Sequence, residues 1–117
     1  MTRYRVHDAG VAKAKKLIRD GAYDDCTEWS DAAPSAAQAN DEVKRHGYEG
    51  FGEWHLAVDS DASERTKARY RFPYGDFSKV NRAALVHAKQ RAVQNDHPEV
   101  AEAAQKLLEL MDHERAG

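Results

Sequence analysis

The chain contains few sulfur-bearing residues that could form disulfides or bind metals, with one cysteine and two methionines among its 117 residues. A single cysteine, Cys26, excludes an internal disulfide and any zinc site built from several thiolates. Its acidic neighbours Asp24, Asp25 and Glu28 disfavour the thiolate form, which argues against a cysteine nucleophile. Chemistry at sulfur is therefore not expected of this protein.

Long apolar runs are also missing. No stretch approaches the roughly 20 apolar residues that span a bilayer, and residues 1–8 contain no apolar signal core. We therefore expect a cytoplasmic protein with no membrane partner. A length of 117 residues, with 41% hydrophobic and 32% charged side chains, fits one folded domain over residues 1–117. Residues 113–117 are expected to fray.

The signatures of nucleotide and metal chemistry are absent as well. Neither GxxxxGK[ST] nor GxGxxG occurs, and the six histidines form no HExxH pattern and no pair at i, i+3 or i, i+4 spacing. The segment after Asp59 begins like a calcium loop, but Glu64 replaces the required glycine and Tyr70 the final glutamate. No catalytic residue, cofactor or metal ligand is predicted. An enzyme site built from His55, His87 and nearby acids is kept as a third hypothesis.

What the chain does have is charge segregated into four blocks of alternating sign. Residues 1–19 carry +5, residues 20–65 carry −9, residues 66–91 carry +6 and residues 92–117 carry −4, which together give the net charge of −2. Segregation of this kind bears on partners and association more than on the fold.

Helical periodicity predicts four helices, each bounded by a capping or stop signal. Residues 22–33, between the first two, read as a surface loop anchored by Trp29. The first predicted helix runs from Asp8, its N-cap, to Asp20, and Gly21 stops it. The second runs from Ser35 to His46, with a Ser35/Gln38 capping box and Gly47 as left-handed C-cap. The third begins at Asp76 or Ser78 and ends at Gln94, and the last follows an Asp96/Glu99 capping box.

Two segments alternate at period two, as half-buried strands do, namely Glu53–Asp59 and Lys67–Tyr74. The polar residues between them predict an antiparallel hairpin, and Pro73 places the second strand at a sheet edge. Thr2–Val6 offers a third strand. The predicted fold class is α+β, a single small domain of about four helices packed on a central antiparallel hairpin. The hairpin side chains expected to face the third and fourth helices are Trp54, Leu56, Val58, Tyr70 and Phe72.

Basic residues interleave with aromatic residues from position 67 onward. With Tyr70 and Phe72 buried, the basic side chains stay outside, where they can hold phosphate without reading sequence. The candidate anion-binding or nucleic-acid-binding residues are Lys67, Arg69, Arg71, Lys79, Arg82 and Lys89. The competing interpretation is a solvated strand face whose charges pair with the acidic blocks.

A rigid strand-to-helix corner is predicted between these basic residues. Pro73 fixes one backbone torsion, Gly75 can adopt a positive φ, and Asp76 can cap the next helix. Basic side chains and helix-start amides at this corner suit an anion. A corner that serves only packing and capping is the other interpretation.

The leading functional hypothesis is a non-enzymatic binding or adaptor module that recognises a protein partner, or a second copy of itself, through charge-complementary surfaces. The alternative is a weak, sequence-independent nucleic-acid binder that uses the basic 67–91 segment.

The string YRFPYGDFSKVNR at residues 70–82, continued by AKQRA at 88–92, resembles a small bacterial and partly phage-associated family. Some members of that family accompany prohead-protease-like genes, and the likeness covers about residues 54–111. The family pattern has histidine where Asn81 stands, which weakens any proton or metal chemistry at this position. The resemblance implies a compact module marked by the turn and the start of the third helix, and it carries no catalytic residues.

Overall fold

The structure is a computed structural model that describes residues 4–116. Within this range lie five α-helices: α1 (Asp8–Arg19), α2 (Trp29–Ala32), α3 (Ala36–Gly52), α4 (Arg82–Gln94) and α5 (Pro98–Ala116). The strands are β1 (Tyr4–Val6), β2 (Tyr23–Asp24), β3 (His55–Asp59), β4 (Tyr70–Pro73) and β5 (Val80–Asn81), and a 3-10 turn covers Lys67–Arg69. The predicted α+β class, with four substantial helices and a central antiparallel hairpin, is confirmed. None of the described helices is both long and apolar enough to cross a membrane.

The main sheet has three antiparallel strands in the order β1-β3-β4, and β2 pairs in parallel with β5. The third strand predicted near the start of the chain is therefore present as β1, while Thr2 and Arg3 lie outside the described residues. Pro73 ends the edge strand β4, as predicted, because proline cannot donate to a ladder.

The central strand β3 is buried on both sides, so its predicted half-burial is wrong. His55 is 6% exposed and Ala57 is fully buried, like Leu56. The reason is tertiary, since α1 and α5 pack against β3 and Phe51 of α3 lies on the His55 ring. The period-two pattern predicted which side chains share a face of β3, but it did not predict whether each face is covered by other elements.

The aromatic side chains of β4 do not form one buried face. The Tyr70 ring packs on Phe51 of α3, whereas the Phe72 ring packs on Tyr4 and His97. Phe72 has a φ of 62°, a left-handed conformation that interrupts the strand alternation. Both side chains are half-buried. The predicted third and fourth helices correspond to α4 and α5, and the prediction that Tyr70 faces them is wrong, because its ring lies against Phe51 of α3.

The segment after β4 folds as a turn and not as the start of a helix. The Oδ1 atom of Asp76 accepts hydrogen bonds from the backbone N–H groups of Ser78 (3.0 Å) and Lys79 (2.9 Å). The left-handed residue is Phe77 (φ 71°) and not Gly75. A side chain at Gly75 would instead meet the Trp54 ring at 2.9 Å. Asp76 therefore shapes the corner without capping a helix.

Three of the predicted N-caps differ from those in the structure. The N-cap of α4 is Asn81, whose Oδ1 accepts the backbone N–H of Ala84, and the N-cap of α1 is His7 rather than Asp8. Asp96, at φ 62°, ends α4 and does not cap α5. Its hydrogen bonds are those of a Schellman motif, from the N–H of Asp96 to the carbonyl of Val93 and from the N–H of His97 to the carbonyl of Ala92.

The Ser35/Gln38 capping box at the start of α3 is confirmed. Gly47 has the predicted positive φ of 74°, but the helix resumes after it and continues to Gly52. The predicted end near His46 is therefore a kink.

The apolar core lies between the sheet and the helices α1, α4 and α5. Its fully buried large side chains include Ile18, Leu56, Tyr74, Leu85, Leu107 and Met111. The helix α5 extends to Ala116, and the predicted fraying of residues 113–117 stays a prediction.

Candidate functional site

A groove of about 550 Å³ runs between the edge strand β4 and the helix α4. Four residues of α4 line it at i, i+3, i+4 and i+7 spacing, so they form one helical face: Ala84, His87, Ala88 and Arg91. β4 contributes Arg71 and Phe72 to the lining, and Tyr4 of β1 and Trp29 of α2 line the groove as well.

The charge of this groove is one-sided. Among residues 4–116, no aspartate or glutamate lines it, while Arg71 and Arg91 both do. Both arginines are exposed, and neither forms a salt bridge within the described part of the chain. The guanidinium of Arg71 lies over the Tyr4 ring, 5.6 Å from its centroid, an arrangement that holds a cation while leaving its donors free.

The ring of Tyr4 is itself held in place by other rings. It stacks on His97 at 4.7 Å between centroids and meets Phe72 edge-on at 5.9 Å. The left-handed backbone at Phe72 turns the strand, and this turn brings the Phe72 ring against Tyr4. The cost of such a conformation is about 1–2 kcal/mol for a residue with a side chain. Arg71 is therefore supported by a packed aromatic cluster.

Both histidines of the enzyme hypothesis, His55 and His87, line this groove. His55 is buried, its Nδ1 donates to the carbonyl of Phe51 at 3.1 Å, and burial lowers its pKa to about 4. It is neutral at physiological pH. The acids that the hypothesis placed beside these histidines do not line the groove within residues 4–116, so the arrangement offers no acid-base pair of carboxylate and imidazole.

Of the six basic residues singled out in the sequence, Arg71 lines this groove. Arg82 and Lys89 line a separate groove between α4 and α5, and Arg69 lines a pocket beside α1. The other five have partners within the chain: Lys67 with Asn40, Arg69 with the carbonyl of Ala62 (2.9 Å), Lys79 with Asp76 (3.1 Å), Arg82 with Asp112 (3.3 Å) and Lys89 with Gln105 (2.6 Å).

Sequence reasoning missed Arg91, Tyr4 and Trp29. The spacing of His87 and Arg91 was a usable signal, because residues four apart share a helix face. The alanine-rich helix α4 did not reveal which face is covered, and the sequence contains no signal that brings Tyr4 to β4.

The acidic loop after β2 is held by its own turn. Asp24 accepts the backbone N–H groups of Cys26 (2.9 Å) and Thr27 (3.0 Å), and Asp25 pairs with Arg115 at 2.6 Å. The Cys26 thiol donates to Asp25, and this hydrogen bond raises the pKa of the thiol. The direction of this pKa shift agrees with the prediction for Asp25 and Asp24.

Asn81 ties this loop to α4. Its side chain is 1% exposed, its Oδ1 caps α4 and its Nδ2 donates to the carbonyl of Thr27 at 3.0 Å. These two contacts account for a buried amide at this position. A structural role thus explains the residue without proton or metal chemistry.

Replacing Asn81 with alanine is expected to lower the free energy of unfolding by about 2 kcal/mol, because it leaves both the Ala84 N–H and the Thr27 carbonyl without their partner. Urea unfolding measures this loss. The matched control is Ser35→Ala, which removes an exposed N-cap without a tertiary bond and is expected to cost about 1 kcal/mol. Equal losses in the two variants would show that the bond to Thr27 contributes nothing.

No family model matches the chain, and no curated protein or solved structure shows significant similarity to it. The resemblance of residues 70–82 to a phage-associated family stays a prediction.

Proposed function

We propose that this protein is a non-enzymatic binding module that holds an acidic segment of a protein partner in the groove between β4 and α4. One observation carries the proposal: two exposed guanidinium groups, Arg71 and Arg91, face a groove that no carboxylate of the described residues lines. Arginine forms two parallel hydrogen bonds to a carboxylate, so such a groove suits Asp and Glu side chains. The cytoplasmic setting and phage association predicted from the sequence stay part of this proposal.

An acidic protein segment is favoured over nucleic acid for two reasons. Of the six basic residues proposed for nucleic-acid binding, Lys79 and Arg82 are paired with carboxylates, so a phosphate backbone would meet part of this positive charge already compensated. The rings of Tyr4 and Phe72 contact each other and His97, which leaves them poorly placed to stack on bases.

Reversing either groove charge, in Arg71→Glu or Arg91→Glu, is expected to weaken the binding of a fluorescein-labelled, glutamate-rich peptide about tenfold, because a charge-assisted hydrogen bond is replaced by repulsion. Fluorescence anisotropy at low salt measures the dissociation constants. Added salt should weaken binding to the native protein.

The control is Lys15→Glu, which changes the net charge equally at an exposed position of α1 outside the groove. The proposal fails if the native protein does not bind the peptide at low salt, or if the control loses as much affinity as the groove variants. An oligothymidylate that binds more tightly than the peptide, and is lost with the same arginines, would replace it with the nucleic-acid alternative.

A second copy of the chain would satisfy the same charge complementarity, because residues 20–65 carry −9. Sedimentation equilibrium separates this case from a different partner. A dimer that dissociates in Arg71→Glu would identify the second copy as the occupant of the groove.

A further inference from the structure

The two tryptophans of this chain lie in different surroundings. Trp54 is 4% exposed and packs on the rings of Tyr74 and Phe77. Trp29 is half-buried and does not pack on the apolar core. Within residues 4–116 its ring contacts no other aromatic ring. What it does line is the groove. The core therefore does not explain why a tryptophan stands there.

The helix that carries Trp29 gives the same indication. α2 has four residues, none of them buried, so it adds nothing to the core. The loop before it is nevertheless fixed from two directions, by Asn81 on the carbonyl of Thr27 and by Arg115 on Asp25. These contacts fix the loop that leads to Trp29, which lines the groove. A fixed aromatic side chain beside exposed arginines has the composition of a binding hot spot, in which Trp, Tyr and Arg are enriched.

The groove also has apolar walls between its charges. Phe72 and Pro73 of β4 line it, and the volume of about 550 Å³ lies in the range of pockets that enclose a ligand group. Carboxylates alone would leave these surfaces and the Trp29 indole in contact with water.

We infer that the groove accepts an acidic segment with a bulky apolar anchor residue between its carboxylates, and that Trp29 is the residue that contacts this anchor. The inference rests on the proposed function, since it names the chemistry of the same occupant. The arginines attract any acidic segment, and Trp29 selects the anchored ones.

The test compares two labelled acidic peptides of equal charge that differ only in a central leucine or glycine. The leucine peptide is expected to bind the native protein about tenfold more tightly, because burial of a leucine side chain supports at least that factor. Trp29→Ala is expected to bring the ratio of the two affinities close to one, because the loss falls mainly on the leucine peptide. Trp29→Phe, which keeps an aromatic ring, is expected to retain most of the preference. Thermal unfolding of each variant verifies the fold.

The outcomes separate the two proposals. Equal binding of both peptides to the native protein, or a leucine preference that survives in Trp29→Ala, overturns the inference about the anchor and leaves the proposed function standing. Failure of both peptides to bind overturns the proposed function itself. Weaker binding of both peptides to Arg71→Glu, with the leucine peptide still bound more tightly than the glycine peptide, supports the separate roles of arginine and tryptophan.

Discussion

Replacing Gly10 with alanine is expected to lower the free energy of unfolding by about 3 kcal/mol, although the same change in an exposed helix gains about 1 kcal/mol. A methyl group at Gly10 would overlap the carbonyl oxygen of His55, which belongs to the backbone of the central strand and cannot turn aside. Helix α1 would have to move away from β3, and the hydrogen bond from the N–H of His7 to the carbonyl of Leu56 (2.8 Å) would be strained with it.

Urea unfolding of Gly10→Ala measures this loss. The control is Ala12→Gly, at an exposed position of the same helix, which is expected to cost about 1 kcal/mol through helix propensity alone. A Gly10→Ala protein as stable as the native one would mean that α1 does not lie this close to the sheet.

Acidification from about pH 6.5 to about pH 4 is expected to destabilise the protein by about 3 kcal/mol through His55. Burial lowers the pKa of His55 from 6.5 to about 4. Between these values the unfolded chain binds a proton that the folded chain does not, so stability is complete above pH 6.5 and falls as the pH drops. Burial also lowers the pKa of His7, which adds a change of the same sign.

The measurement is the free energy of unfolding against pH for the native protein and for His55→Gln. The difference between the two profiles isolates His55 from His7 and from the carboxylates, and the variant is expected to show the shallower profile. Parallel profiles for the native protein and His55→Gln would contradict the prediction.

Local signals predicted much of the secondary structure. The Ser35/Gln38 box, the positive φ of Gly47 and the end of α4 at Gln94 all depend on neighbours within a few residues, and each is confirmed. The edge position of Pro73 follows from its missing N–H group. Where two local signals competed, sequence reasoning failed, as at Asp96, whose short polar side chain suits a helix start and a left-handed helix end equally well.

The candidate site was predictable only in part. Arg71 was identified from its place in a basic and aromatic segment, but its neighbours in the sequence did not join it, because Arg69 turns to Ala62 and Lys67 to Asn40. The second arginine of the groove, Arg91, lies on α4, and both arginines line the space between β4 and α4. Distances between such elements depend on packing, which no spacing rule contains.

Short-range signals in the sequence were enough to predict the α+β class, several helix ends and the segregation of charge, since capping, turns and net charge act over short stretches of chain. The tertiary structure alone decided that β3 is buried on both sides, that Tyr70 and Phe72 pack in different places, and that Arg71, Arg91 and Trp29 line one groove. The physical reason is that burial and proximity depend on which elements cover one another, and residues 20 or more positions apart reveal this only after the chain has packed.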